Sequence, residues 1–123
     1  MAETKVLIVD DDYKFSDFAK MLLESVSYEA VICDDSREVV KLAKEIGPNL
    51  ILMDVNMPDL TGIEATELLK ADPATKAIPV ILCSITIHRE DMPSIAECGA
   101  DAFMPKPLKR DELKAQIDKL LRK

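Results

Sequence analysis

Short apolar runs alternate along the chain with stretches of helical periodicity. We expect strands at residues 5–9, 30–33, 50–53 and 79–83, and a shorter one around Phe103. The runs are continuous instead of alternating with polar residues, which indicates strands that are buried on both faces. Parallel strands with helices on both sides meet that requirement. The pattern therefore predicts a doubly wound α/β fold built from five strand–helix units.

Each predicted strand is followed by apolar residues spaced three and four positions apart, which predicts a helix. Asp35 and Glu38 resemble a capping box in front of the second helix, and Gly47 ends that helix. The fourth helix has the weakest pattern and is expected at about residues 89–97. The apolar positions of the first, third and fifth helices are Phe15, Phe18, Ala19, Leu22, Leu23 and Val26; Ile63, Leu68 and Leu69; and Leu113, Ile117, Leu120 and Leu121.

Length and charge narrow the class of protein. The chain has 123 residues, which suits one compact domain, and a net charge of −7, which disfavours direct contact with nucleic acid. No apolar run approaches the roughly 18 residues that cross a bilayer, so we expect no membrane contact. Three cysteines at unrelated spacings and the absence of an apolar leader favour a reducing cytoplasm.

Polar side chains stand at the carboxyl ends of the predicted strands, where open parallel sheets bind ligands. Taken singly, each has an ordinary explanation, because aspartates cap helices and favour turns, and serine and lysine are common at surfaces. Their joint placement at one edge predicts a polar pocket. The residues are Asp10, Asp11 and Asp12 after the first strand, Asp54 and Asn56 after the third, Ser84 after the fourth and Lys106 after the fifth.

The chemistry of these groups points to a metal and a phosphoryl group. Close carboxylates raise the pKa of at least one of them unless a cation neutralises the charge, and a few oxygen ligands suit Mg²⁺ better than Zn²⁺. Calcium is disfavoured, because the segment after Asp10 lacks the glycine and closing glutamate of a calcium loop. Ser84 and Lys106 can hydrogen-bond and neutralise phosphoryl oxygens. Our central hypothesis is that Asp54 accepts a phosphoryl group as a nucleophile.

The order and spacing of these motifs resemble the receiver domains of two-component response regulators. The motifs are Val9-Asp10-Asp11, Leu-Met-Asp-Val-Asn-Met-Pro at residues 52–58 with Gly62 four residues on, Ser84, and Lys106-Pro107. The resemblance covers essentially the whole chain. It implies the flavodoxin-like strand order 2-1-3-4-5, which sets the first and third strands side by side.

The resemblance also implies a role for each residue of the pocket. Asp54 is the expected phosphoacceptor, and a histidine kinase or phosphotransfer protein is the expected donor. Asp11 and Asp54 are expected to ligate Mg²⁺ through side chains, Asn56 through its backbone carbonyl, and Asp10 mainly through bound water. Lys106 is expected to pair with a phosphoryl oxygen and to precede a cis bond to Pro107.

A conformational switch follows from the same resemblance. Ser84 is expected to move toward the phosphate while Phe103 moves inward, so that the face formed by residues 85–114 changes its partner binding. The expected output is a separate protein that binds the fourth helix, fifth strand and fifth helix, because no fused output domain is expected.

Four positions depart from the commonest pattern of the family. Ile85 is bulky where a small residue is usual and is expected to narrow access to Asp54, and Phe103 lacks the phenol of many members. Thr61 replaces an aspartate, which should matter only to the turn, and Asp12 adds a further negative charge. None of these removes a required group, so we expect an active receiver.

Three other functions compete with a phosphorylation switch. A phosphohydrolase would need a general acid two residues after its nucleophile, and Asn56 stands there. A nucleotide or flavin carrier is disfavoured, because the first strand ends in aspartates and not in a glycine-rich loop. A docking module with a vestigial pocket is an alternative that the sequence leaves open, and Mg²⁺ titration distinguishes it from a switch.

His88, in the loop after the fourth strand, is expected to have a surface role.

Overall fold

The computed structural model describes residues 4–85 and 92–122. Five parallel strands form one sheet in the order β2-β1-β3-β4-β5, which confirms the predicted fold. The elements are β1 (Lys5–Val9), α1 (Tyr13–Ser25), β2 (Glu29–Cys33), a 3₁₀ turn (Ser36–Glu38), α2 (Val39–Ile46), β3 (Leu50–Asp54), α3 (Gly62–Ala71), β4 (Val80–Ser84), α4 (Met92–Glu97), β5 (Ala102–Pro105) and α5 (Arg110–Leu121). The expectations about His88 and about helix at residues 89–91 lie outside the described residues.

The sheet is covered by helices on both faces. One core lies between the sheet and α2, α3 and α4, and the other lies between the sheet and α1 and α5. Every residue of β3 and β4 is buried, as their continuous apolar runs predict. The three cysteines are free thiols within these cores. Burial raises the pKa of the Cys83 thiol to about 12.

Two predicted core residues lie at the surface. Phe18 is 38% exposed and Leu68 is 50% exposed. Each directly precedes a buried residue, Ala19 or Leu69, and neighbouring positions on a helix point about 100° apart. The buried face of α1 is centred on Ser16, Ala19 and Leu23. The small polar residue Ser16 is therefore buried where the apolar pattern predicted an aromatic side chain.

The predicted capping box at the start of the second helix is wrong. The Asp35 side chain accepts hydrogen bonds from the backbone and side chain of Arg37 and caps the 3₁₀ turn. Within the described residues, a capping box lies instead at α3, where the Thr61 hydroxyl accepts from the Glu64 backbone and the Glu64 carboxylate accepts from the Thr61 backbone. Thr61 is thus the N-cap of α3.

Among the helices of residues 4–85 and 92–122, none combines the length and the apolar character that a membrane crossing demands.

Candidate functional site

The pairing of β1 with β3 brings two aspartates together. Val9 lies opposite Met53 in the parallel register, so the residues that follow them, Asp10 and Asp54, lie side by side at the carboxyl edge. Asp10 is 1% exposed and Asp54 is 6% exposed. Two carboxylates are therefore held close together in a largely dry environment, which only nearby positive charge or protonation makes tolerable.

The turn after β1 fixes the Asp10 carboxylate. The Asp10 backbone N–H donates to the Cys33 carbonyl at 3.1 Å, and Asp10 Oδ1 accepts from the Asp12 backbone N–H at 2.8 Å. Asp12 in turn caps α1, since its side chain accepts from the Lys14 backbone N–H at 3.0 Å. The ordinary explanation of the aspartate run, helix capping, is thus correct for Asp12 and leaves Asp10 and Asp11 for the site.

Asp10, Asp11 and Asp54 form a cluster that suits a divalent cation. Each offers a carboxylate oxygen, and these three oxygens all lie within 4.8 Å of one another. Asp11 is exposed, whereas the other two are buried. Burial, together with the charge of Asp10, raises the pKa of Asp54 from 3.8 to about 6 despite the opposing effect of Lys106. Clustered hard oxygen donors whose charge is poorly compensated fit Mg²⁺.

Lys106 supplies the positive charge on the other side of the two buried aspartates. Its backbone N–H donates to the Ser84 carbonyl at 2.9 Å, and its bond to Pro107 is cis, as predicted. Lys106 Nζ lies 2.8 Å from Asp10 Oδ2 and 3.3 Å from Asp54 Oδ1. Burial lowers the pKa of Lys106, but the hydrogen bond to Asp10 and the charges of Asp54 and Asp10 outweigh it and raise the pKa overall.

Asn56 and Ser84 are joined by a hydrogen bond that the sequence did not predict. Asn56 Nδ2 donates to Ser84 Oγ at 2.7 Å. Ser84 is 1% exposed. The cavity beside the acidic cluster measures about 210 Å³, and the described residues that line it are Asp10, Asp11, Asp12, Asp54, Asn56, Ile85 and Lys106. The Ser84 hydroxyl is thus connected to this lining through the Asn56 amide.

Gly62 supports the site through a close backbone contact. Its N–H donates to the Val55 carbonyl at 2.9 Å. A Cβ added at Gly62 would lie 2.0 Å from the Asp54 carbonyl oxygen. The first turn of α3 can therefore pack against the end of β3 only where the helix carries no side chain. The sequence placed Gly62 within a motif, but its reason for being glycine is visible only in three dimensions.

The remaining predicted residues lie around the cavity or away from it. Ile85 is 78% exposed and stands at the rim. Phe103 is half-buried and packs against the core under α2, α3 and α4. It therefore lies at the sheet face that α4 covers and is not among the described residues that line the cavity.

Comparisons with known proteins agree with this geometry. The family described as "Response regulator receiver domain" matches residues 6–118. The chain is 34% identical over 103 residues to the polar-differentiation response regulator DivK of Brucella anthropi, covering 84% of each protein. It is 27% identical over 119 residues to the DNA-binding response regulator MtrA of Mycolicibacterium paratuberculosis, covering 97% of this chain and 52% of MtrA. The crystal structure of a histidine kinase receiver domain from Syntrophus aciditrophicus superposes with a TM-score of 0.89 at 34% identity, covering 97% of this chain and 90% of that one.

The chain spans about half the length of the MtrA proteins that it matches. The function of the other half of those proteins says nothing of this chain, and the absence of a fused output domain stays a prediction. The match at residues 6–118 contains every motif on which the resemblance rests, from Asp10 to Lys106. A family match over most of the chain, a relative at 34% identity and the sheet order all agree. The chain belongs to the family of response regulator receiver domains of two-component signalling.

Proposed function

We propose that this receiver domain is a switch in which Asp54 accepts a phosphoryl group from a phosphohistidine of a kinase or phosphotransfer protein. The observation that carries the proposal is the placement of the Asp54 carboxylate. It is buried, it forms an acidic cluster with one oxygen each from Asp10 and Asp11, and it lies 3.3 Å from the Lys106 ammonium. A nucleophile between a cation-binding cluster and a lysine is arranged to receive an anion.

The proposed step transfers the phosphoryl group from an imidazole nitrogen of the donor histidine to a carboxylate oxygen of Asp54. A carboxylate oxygen of Asp54 forms a bond to phosphorus, and the bond between phosphorus and the donor imidazole nitrogen breaks. The electron pair of that bond stays on the imidazole, which leaves as a neutral or protonated ring. Lys106 compensates the negative charge that arrives with the phosphoryl oxygens, because its ammonium already lies within reach of Asp54.

The residues present fit Mg²⁺. Asp11 and Asp54 would hold the ion through their side chains and Asn56 through its backbone carbonyl. Asp10 Oδ1 and Oδ2 already accept hydrogen bonds from the Asp12 backbone and from Lys106, which supports a role for Asp10 through water. When bound, the ion would supply positive charge that offsets the repulsion between phosphoryl oxygens and carboxylates.

The switch requires the Ser84 hydroxyl to donate to a phosphoryl oxygen. A hydroxyl both donates and accepts, so Ser84 can keep the hydrogen bond that it accepts from Asn56 while it does so. Phe103 lies half-buried on the α4 side of the sheet, where it can move inward. The proposed output is altered binding of a separate protein at α4, β5 and α5, with no direct contact to nucleic acid or membrane.

A phosphohydrolase is the alternative in which Asp54 is also the nucleophile. The residue two positions on, Asn56, carries an amide that is bonded to Ser84 and cannot act as a general acid. The proposed switch therefore takes up one phosphoryl group per chain, whereas an enzyme would turn over many equivalents of a phosphate ester.

Incubation with acetyl phosphate and Mg²⁺ tests the proposal. Intact-mass spectrometry should show one added phosphoryl group on the wild-type protein and none on Asp54→Asn. Asp59→Asn is the matched control, because Asp59 is exposed in the loop that follows β3 and should be labelled like the wild type. Label on Asp54→Asn, or none on the wild type, would refute the assignment.

Mg²⁺ affinity should rise with pH until about pH 7 and then level off. Asp54 has a pKa of about 6 in the folded protein, so a proton competes with the ion below that value. We expect affinity at pH 5 to be about tenfold weaker than at the plateau. Titration calorimetry at several pH values measures this. In Asp54→Asn the ion loses a ligand, and the step centred near pH 6 should disappear.

A further inference from the structure

The Lys106 ammonium has a third neighbour besides its two aspartates. Lys106 Nζ lies 4.0 Å from the centroid of the Phe15 ring, within the range of a cation–π interaction. The lysine side chain is 10% exposed. An ammonium has three N–H groups, and here carboxylates stand on two sides while the aromatic ring covers another.

Phe15 is held in place by the start of α1. The neighbouring Ser16 is fully buried, its backbone N–H donates to the Asp12 carbonyl at 3.0 Å, and its hydroxyl donates to the Asp10 carbonyl at 3.4 Å. These bonds tie the first turn of α1 to the end of β1. The ring of Phe15 is thus positioned by the same turn that positions the Asp10 carboxylate.

We propose that Phe15 is a positioning residue for phosphoryl transfer, which keeps the Lys106 ammonium over the Asp54 carboxylate. This inference rests on the proposed function of Asp54. Lys106 reaches the site through a flexible four-carbon stem, and its bond to Asp54 must change when that carboxylate becomes an acyl phosphate. The attraction of the ring for the ammonium does not change during the transfer, so it holds the lysine throughout.

The contact with the Lys106 ammonium distinguishes Phe15 from the nearby Phe18. Phe15 and Phe18 both line an apolar groove beside the site, together with Ile85 and Pro107. The ring contact with the ammonium involves Phe15, whereas Phe18 is 38% exposed one turn further along α1. Phe18→Leu is therefore a matched control that alters the groove and leaves the ammonium contact in place.

The first measurement is the rate of phosphorylation by acetyl phosphate at saturating Mg²⁺. We expect Phe15→Leu to slow it by about threefold to tenfold, Phe15→Tyr to restore it, and Phe18→Leu to match the wild type. Phenylalanine carrying one, two or three ring fluorines at position 15 should slow the reaction progressively, because fluorine weakens the negative face of the ring and leaves its shape nearly unchanged. A residue with a purely structural role would give one rate across the fluorinated series, and that result would overturn the inference.

The second measurement needs neither metal nor phosphate. In NMR spectra the Cε protons of Lys106 should be shifted upfield by the Phe15 ring current, and the shift should vanish in Phe15→Leu and persist in Phe15→Tyr and Phe18→Leu. An unshifted Lys106 in the wild type refutes the contact. A wild-type protein that shows the ring shift but takes up no phosphoryl group refutes the proposed function, and with it the role of Phe15 in transfer. Labelling of the wild type with equal rates in all variants refutes the role of Phe15 alone.

Discussion

Gly62→Ala is expected to lower the free energy of unfolding by about 3 kcal/mol or more. The added Cβ would lie 2.0 Å from the Asp54 carbonyl oxygen and 2.9 Å from the Val55 Cα. Both are backbone atoms and cannot rotate away, so β3 and α3 must move apart. For a domain of this size we expect the melting temperature to fall by about 10–15 °C. Urea unfolding followed by circular dichroism measures the loss.

Gly47→Ala is the matched control for this prediction. Gly47 has a φ of +56°, and a Cβ added there would meet no atom within 4 Å. Alanine at this position carries the cost of the left-handed conformation, about 1 kcal/mol, without a clash. Equal losses in the two variants would show that the close approach of α3 to the end of β3 is not what requires glycine at position 62.

The strands could be predicted closely from the sequence. Residues 5–9 were predicted to the residue, β3 ends one position later than predicted, and β4 begins and ends one position later than predicted. Strands buried on both faces give continuous apolar runs, which leave little freedom in where an element starts or ends. The sheet order, in contrast, came from the family resemblance, because the pattern of apolar residues says which elements exist and not which strands are neighbours.

Most of the side chains that meet at the carboxyl edge of the sheet could be predicted from the sequence, but the contacts between them could not. Four strand ends at one sheet edge predicted the acidic cluster and Lys106, since all parallel strands point their carboxyl ends the same way. The bond from Asn56 to Ser84 and the contact between Phe15 and Lys106 join loops and elements that are distant in sequence. Such contacts depend on how α1 and the loops after β3 and β4 pack, for which the sequence has no periodic signal. The capping box at Thr61 and Glu64 does have a local signal, but the same spacing at Asp35 and Glu38 gives a cap of a different kind, so the spacing alone does not tell where a capping box forms.

Lys106→Met is expected to destabilise the metal-free protein by about 2–3 kcal/mol at neutral pH. The variant keeps most of the apolar stem but leaves the buried carboxylates of Asp10 and Asp54 without the ammonium that lies 2.8 Å and 3.3 Å away. The pKa of Asp54, about 6 in the wild type, should rise further. The pKa of such a carboxyl group is higher in the folded than in the unfolded state. The free energy of unfolding of the protein therefore falls as the pH rises through the folded-state pKa. The deficit should therefore be largest above that pKa and shrink as the pH falls and Asp54 takes up a proton.

The effect of Mg²⁺ on Lys106→Met provides a second test of this prediction. A divalent cation at the acidic cluster would replace the missing positive charge, so saturating Mg²⁺ should stabilise Lys106→Met more than the wild type in the same urea titration. Lys109→Met is the matched control, because Lys109 is exposed just before α5 and its loss should cost less than about 0.5 kcal/mol with or without the ion. If the two lysine variants lose equal stability, or if Mg²⁺ raises the stability of both by the same amount, then the ammonium of Lys106 is not what keeps the two buried aspartates charged.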